Sequence, residues 1–285
     1  MNTVQHPRKY NDGNRRNPER FKKSGEDQPV FRLSRPERQQ VTALQQKKFR
    51  YRQQQFMLEG AKLLKEALEA HFPVGRIYLG HSAYEKNIFS GIPVDWDTVK
   101  IVRDADIRSI SSQKNPEGVL AIASLPEYSF PPEDTEQSPF LFLWEINDPG
   151  NLGTILRTAC WFGIRHIIIS PNSVDPYSPK VVRGSMGAVF HVSIWQNVAP
   201  DDLLDYCIQK NIAVFCADPG GKPVQPCPHK HWGLVLGSES HGLPEAVKYA
   251  AHDIIAVPKH GSGESLNVAV SAGILLHELL RPEET

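Results

Sequence analysis

Three stretches in the second half of the chain gather glycine, amide, hydroxyl, carboxylate and guanidinium groups directly after apolar runs. The first is Asn147-Asp148-Pro149-Gly150-Asn151-Leu152-Gly153, with Arg157 six residues beyond Asn151. Asn and Asp are strong helix caps, and the free N–H groups of a helix start attract phosphate. Arg157 lies under two helical turns from Asn151, so it can serve the same mouth; the same residues also describe a capped helix with a solvated arginine. The second is Gly237-Ser238-Glu239-Ser240-His241-Gly242-Leu243-Pro244. Its glycines permit close backbone approach to a ligand, Pro244 suits a helix start, and Glu239 is placed to hydrogen-bond a substrate or partner group. An ordinary strand-to-helix turn with a solvated Glu239 has the same composition. The third, Pro258-Lys259-His260-Gly261-Ser262-Gly263-Glu264-Ser265-Leu266-Asn267, runs into a long apolar helix. A helix so apolar must be buried, which makes Ser265 and Asn267 polar groups inside the protein that need a ligand or a packed loop as partner.

Several chemistries find no support. The spacing Gly237-x-x-Ser240-x-Gly242 is not the Gly-x-Ser-x-Gly elbow of a hydrolase. Neither a Walker loop nor a dinucleotide Gly-x-Gly-x-x-Gly occurs. Cys160, Cys207, Cys216 and Cys227 form no Cys-x-x-Cys pair, so a zinc site or disulfide framework is a poor reading. His241, His260 and the Cys227-x-His229-x-His231 run read as loop residues, and no metal is expected.

These stretches need a scaffold that brings loops together. Residues 141–146, 166–170, 189–195, 212–217, 233–236 and 254–257 predict strands. Residues 152–162, 179–186, 201–210, 244–250 and 266–280 predict helices. Runs such as Ile167-Ile168-Ile169 and Leu234-Val235-Leu236 suit a parallel sheet covered on both faces. Alternating strands and helices give an α/β layered domain over 140–285, in which ligands gather beyond the carboxyl ends of the strands. Ahead of it, Phe56-Met57-Leu58, a helix over 61–70, Arg76-Ile77-Tyr78-Leu79, and strands at 99–102 and 119–123 define a small α/β domain over 46–125. The proline-rich, acidic segment 126–139 is expected to link the two.

Residues 1–45 are rich in Arg, Lys, Asn, Gln and Pro and are expected to form a disordered basic tail. Residues 1–52 hold 14 Lys/Arg against 5 Asp/Glu, although the whole chain has zero net charge. A basic arm on a mildly acidic body suits a polyanionic partner, to which it would add salt-sensitive affinity. No stretch has the length and apolarity of a membrane helix and no secretory leader is apparent, so a soluble cytoplasmic protein is expected.

The ordered trio of motifs resembles the SpoU (TrmH) family of RNA ribose 2′-O-methyltransferases, within the SPOUT superfamily. Asn151-x-Gly153-x-x-x-Arg157-Thr158-Ala159 is similar to that family's first motif. Leu236-Gly237-Ser238-Glu239-x-x-Gly242-Leu243 is similar to its second. Val257-Pro258-x-x-Gly261-x-x-x-Ser265-Leu266-Asn267-Val268 is similar to its third, although Ala269 stands where the family usually has Ser or Thr. Phe56-Met57-Leu58-Glu59-Gly60 and Gly118-Val119-Leu120-Ala121 resemble parts of its N-terminal RNA-recognition domain.

The resemblance implies a C-terminal methyltransferase domain with a parallel sheet and a trefoil knot, which sequence pattern alone does not suggest. It implies S-adenosylmethionine as cofactor, held by Gly237, Val257 and Leu266 with Leu236, Ser238, Gly242 and Gly261. It implies Arg157 as catalytic residue with Asn151, Glu239, Ser265 and Asn267 around it, a homodimer, and an RNA substrate. Guanidinium groups keep their proton in proteins, so phosphate clamping and stabilisation of a developing alkoxide fit Arg157 better than general-base action. Ribosomal RNA, at a guanosine, is favoured over transfer RNA. The alternatives are a tRNA-directed enzyme, an inert RNA-binding assembly factor on the same fold, and a small-molecule methyltransferase. A metabolite would need neither the basic arm nor a separate recognition domain.

Overall fold

The computed structural model describes residues 29–132, 138–238 and 242–282. The small domain has four strands, β1 (Gln55–Glu59), β2 (Val74–Gly80), β3 (Val99–Val102) and β4 (Val119–Ser124), in the order β1-β4-β2-β3. β2 and β3 are parallel and the other pairs antiparallel. Strand alternation sorts its residues: Phe56, Leu58, Ile77 and Leu79 face one core, Met57 and Tyr78 the other. Helix α3 (Ala61–Glu69) lays Leu63, Leu64 and Ala67 on the first face.

The second face corrects the expected disorder of residues 29–45. Leu33, Val41 and Leu44 are almost wholly buried there, with Ile107 and Ile110 of helix α5 (Asp104–Ile110). Between them runs α1 (Arg35–Ala43), started by Pro36 and by Ser34, whose hydroxyl caps the Glu37 N–H at 3.3 Å. Three apolar anchors suffice to order a polar segment when a sheet face is there to receive them. Residues 1–28 lie outside the described residues, so a truncation that isolates the basic arm ends at residue 28.

The large domain carries six parallel strands in the order β10-β8-β9-β5-β6-β7. They are β5 (Phe140–Leu143), β6 (His166–Ile169), β7 (Ser193–Gln196), β8 (Ala213–Pro223), β9 (Trp232–Leu236) and β10 (Asp253–Ala256). Helices α6 (Pro149–Trp161), α7 (Pro179–Gly184) and α10 (Val268–Leu279) cover one face. Helices α8 (Pro200–Lys210) and α9 (Glu245–Tyr249) cover the other. Two-sided cover explains the near-continuous apolar strands. Two strands differ most from expectation. Residues 188–190 form a 3-10 turn, so β7 starts only at Ser193. β8 runs to Pro223 because its pairing with β10 jumps from Cys216 to Lys222, which leaves 217–221 standing out at the carboxyl edge. Among the described residues no helix is long and apolar enough to cross a membrane.

A buried network around Asp175 joins the domains, and Arg183 of α7 adds a second link, its Nη1 donating to Ser112 Oγ at 2.7 Å and lying 3.4 Å from the buried Glu59 carboxylate. On α2 (Lys47–Gln53), Arg50 is 2% exposed; its Nε donates to Asp175 Oδ2 at 2.8 Å, its Nη2 pairs with the same oxygen, and its Nη1 donates to the Leu44 carbonyl at 2.8 Å. The Tyr51 hydroxyl reaches Gln196 Oε1 at 2.6 Å and Asp175 Oδ1 at 3.1 Å. Beside it, the ring pairs Phe56–Tyr177 and Phe72–Phe190 lie 5.1 and 5.0 Å apart, so one apolar core runs through both domains. Arg50→Ala strands a buried carboxylate and should lower unfolding stability by about 3–5 kcal/mol in urea titration. A loss under about 1 kcal/mol would show that the other contacts between the domains hold them without this pair.

Candidate functional site

The carboxyl ends of β8, β9 and β10 open into a cleft of about 400 Å³. Its wall combines Leu236, Gly237, Ser238 and Gly242 with Ala256, Val257, Pro258 and Lys259, and with Ser262 to Leu266. Six of the seven expected cofactor residues, Leu236, Gly237, Ser238, Gly242, Val257 and Leu266, therefore line one cavity; Gly261 belongs to the same loop but not to the lining. The Gly242 N–H donates to the Ser238 carbonyl at 3.1 Å and closes a tight turn. A Cβ on Gly237 would sit 2.7 Å from the Gly242 backbone, so this turn exists only with glycine there. Lys259 Nζ donates to the Gly263 carbonyl at 2.5 Å and folds the third motif onto itself.

The first motif stands at one end of this cleft. α6 is capped by Asp148, whose carboxylate accepts the Asn151 N–H at 2.8 Å, so that part of the helix start is already occupied by a protein anion. Asn267 Nδ2 donates to Asn151 Oδ1 at 3.0 Å, which ties the first motif to the third. The expectation that Ser265 and Asn267 are buried is corrected: both are exposed. The helix begins at Val268, not Leu266, and Asn267 is its N-cap, its Oδ1 accepting from Ala269 at 3.0 Å and Val270 at 3.3 Å. α10 is likewise not buried all round, since Val270 and Ile274 are exposed.

Arg157 lies on the exposed side of α6, one turn past Thr154 and one before Trp161, outside the cleft lining. Among the described residues nothing pairs with its guanidinium. The structure thus brings Asn151 and Asn267 into contact, sets Ser265 on the cleft wall, and holds Arg157 further along α6. Glu239 lies outside the described residues, as does His241.

Asp218 is a cleft residue that no motif signals. It follows the predicted strand 212–217, so the rule that ligands collect beyond strand ends is the one clue to it. Lys248 at 2.8 Å and the Gly220 N–H at 2.9 Å hold its carboxyl below the usual carboxylate range, so it remains ionised at neutral pH. Ser262, Glu264 and Ser271 line the cleft beside it. The described residues contain no cluster of His, Cys, Asp or Glu fit for a metal.

The first-motif glycine has a structural cause. A Cβ on Gly153 would lie 2.9 Å from the Gly184 backbone, so Gly153 lets α6 and α7 touch. Gly153→Ala should therefore cost about 1–3 kcal/mol of stability in thermal or urea unfolding. Gly261, with nothing within 4 Å of its built Cβ, should accept alanine without loss of stability. Equal stability of wild type and Gly153→Ala would remove the helix-contact explanation.

Comparison with known proteins follows the same division of the chain. Residues 138–277 match the SpoU rRNA Methylase family, and residues 36–121 match the MRM3-like substrate binding domain. A 23S rRNA guanosine 2′-O-methyltransferase of Bacillus subtilis is 28% identical over 238 residues, covering 83% of this chain and 92% of its own. A TrmH-family protein of Porphyromonas gingivalis is 34% identical with a TM-score of 0.75, covering 87% of this chain and 98% of that one. An AdoMet-bound rRNA methyltransferase of Sinorhizobium meliloti is 28% identical with a TM-score of 0.71, covering 88% and 96%.

Proposed function

The chain belongs to the SpoU rRNA methylase family, and on that premise we propose that it transfers the methyl group of S-adenosylmethionine to a ribose 2′-hydroxyl of ribosomal RNA, at a guanosine. The observation that carries the proposal is the side-chain bond between Asn151 and Asn267, which joins the first motif to the end of a cleft walled by the second and third.

The cleft fits the cofactor on its own chemistry. It has the volume of a small-ligand site, mixes apolar walls with serine hydroxyls, and offers backbone groups where Gly237 keeps side chains out. The Asp218 carboxylate on the wall is already paired with Lys248, so the cleft recognises its ligand chiefly through shape and backbone groups. When bound, S-adenosylmethionine supplies a methyl group already activated by a positively charged sulfur. The adjacent loops 236–243 and 257–266 are the segments we read as the knotted ones.

What remains for the protein is positioning. Asn151, Ser265 and Asn267 hold the ribose at the cleft mouth, Glu239 contributes a hydrogen bond there, and Arg157 grips a phosphate and stabilises negative charge growing on the 2′-oxygen. A second copy of the chain would complete this region. Val270 and Ile274 of α10 are 49% and 37% exposed, and Trp161 of α6, one turn from Arg157, is 85% exposed. An apolar face of this kind on two packed helices suits a homodimer. The cytoplasm, where ribosomal RNA is modified before assembly ends, is the proposed place of action.

Labelled methyl transfer to ribosomal RNA and, separately, to transfer RNA lacking the modification tests the activity. Label should appear as a 2′-O-methyl nucleotide in ribosomal RNA, and Arg157→Ala should lower the rate about 100- to 1,000-fold while cofactor affinity holds. Arg157→Lys retaining near-wild-type activity would refute the planar clamp, because lysine keeps only the charge. Absence of cofactor binding would favour an inert RNA-binding factor. Light scattering on the eluting protein should give twice the chain mass of 32.0 kDa, and Ile274→Asp the chain mass itself; a monomeric wild type would overturn the dimer.

A further inference from the structure

A second hollow lies away from the cleft, between α1 and α2, with a volume of about 500 Å³. Its walls are Gln39, Gln40 and Ala43 of α1 and Phe49, Arg52 and Gln53 of α2. We propose that this groove holds one unpaired nucleotide of the RNA substrate, with its base on the Phe49 ring and its phosphate on Arg52; the inference rests on the RNA reading of the function.

The helical spacing makes the site. Phe49, Arg52 and Gln53 fall at i, i+3 and i+4, so they share one face of α2, and Gln39, Gln40 and Ala43 share the facing side of α1. Ala43 leaves room for a ring. Phe49 is half-buried, so it is held in place yet presents apolar surface, as a stacking platform must. Arg52, Gln39 and Gln40 are exposed, and no carboxylate lines the groove. Amide side chains carry both a donor and an acceptor and can meet the edge of any base. Lys48, also exposed, adds positive charge next to Phe49. The one other arginine of α2, Arg50, is spent on the buried pair with Asp175, and Tyr51 is turned toward Asp175 and Gln196. The remaining cations therefore point outward.

The groove is also in the right place. Asp175 follows β6 and Gln196 ends β7, so α2 is pinned at the carboxyl edge of the parallel sheet, the edge from which Asn151 and the cleft loops rise. β7 is two strands from β5, or about 10 Å at ordinary strand spacing. The two pinned residues therefore place α2 at the same edge of the sheet as the cleft.

The test uses the full chain and fluorescence anisotropy with two probes, a labelled single-stranded oligouridylate and a blunt RNA duplex. Phe49→Ala should weaken oligouridylate binding about 5- to 100-fold, and duplex binding far less; Phe49→Tyr should restore it. Arg52→Gln, a change on an exposed side chain, should reduce the slope of log affinity against log salt by about one. Cofactor affinity should be unchanged in all three. Wild-type affinity in Phe49→Ala, equal loss for both probes, or an unchanged salt slope in Arg52→Gln would each overturn the groove. If Phe49→Ala impairs folding, the Arg52→Gln slope alone decides. A wild type that methylates RNA while Phe49→Ala does so equally well refutes the groove and spares the proposed function; a wild type that binds neither probe and transfers no methyl refutes both.

Discussion

The buried pair of Arg50 and Asp175 is the contact on which the arrangement of the molecule turns. Two opposite charges withdrawn from water cost free energy unless every lone pair and proton finds a partner. Here Asp175 also accepts from Tyr51 and the Tyr177 N–H, while Arg50 gives a further N–H to the carbonyl that ends α1. The satisfied network fixes more than stability. It ties the end of α1, the whole of α2 and the loop after β6 into one unit, so the small domain has a single orientation relative to the sheet. Apolar contacts such as Phe72 on Phe190 supply area but are less directional.

That orientation matters because a parallel sheet covered on both faces leaves only its two ends for chemistry. Helices α6, α7 and α10 pack one face so closely that Gly153 meets the backbone of Gly184. Several residues of the motifs therefore carry structural duties. Gly153 permits a helix contact. Asn267 caps α10 with its oxygen and holds Asn151 with its amide nitrogen. Gly237 allows a turn that any side chain would break. Substitution at such positions would disturb the fold itself, whereas Arg157, on an exposed helix face, is free of structural duty.

Much of this was legible in the sequence because its causes are local. Continuous apolar runs marked the strands, their order gave the layered domain, and the three polar loops stood where strand ends must gather. The misses have non-local causes. Residues 29–45 looked too polar to fold because Leu33, Val41 and Leu44 are far apart in the chain and are united only by a sheet face formed later. Ser265 and Asn267 looked buried because an apolar helix was taken to be covered all round, and α10 leaves Val270 and Ile274 in the open. Asp218 was hidden by a register jump between β8 and β10 that no local pattern encodes. Arg50 sat in a basic run whose evident meaning was attraction to phosphate; only the fold shows that this one cation is internal.

The distribution of unpaired charge then separates the two ends of the functional edge. At the cleft, Asp218 is matched by Lys248, and Lys259 is held by the Gly263 carbonyl. On α2, Lys48 and Arg52 are exposed, and among the described residues no carboxylate pairs with either. Arg157, on the exposed side of α6, is also unpaired among the described residues. A polyanion is drawn by uncompensated cations, and that pull weakens with salt, while a small ligand in an apolar-walled cleft responds mainly to shape and burial. The neutral total charge of the chain is thus divided in space, with uncompensated cations exposed on α2 and a paired carboxylate in the cleft.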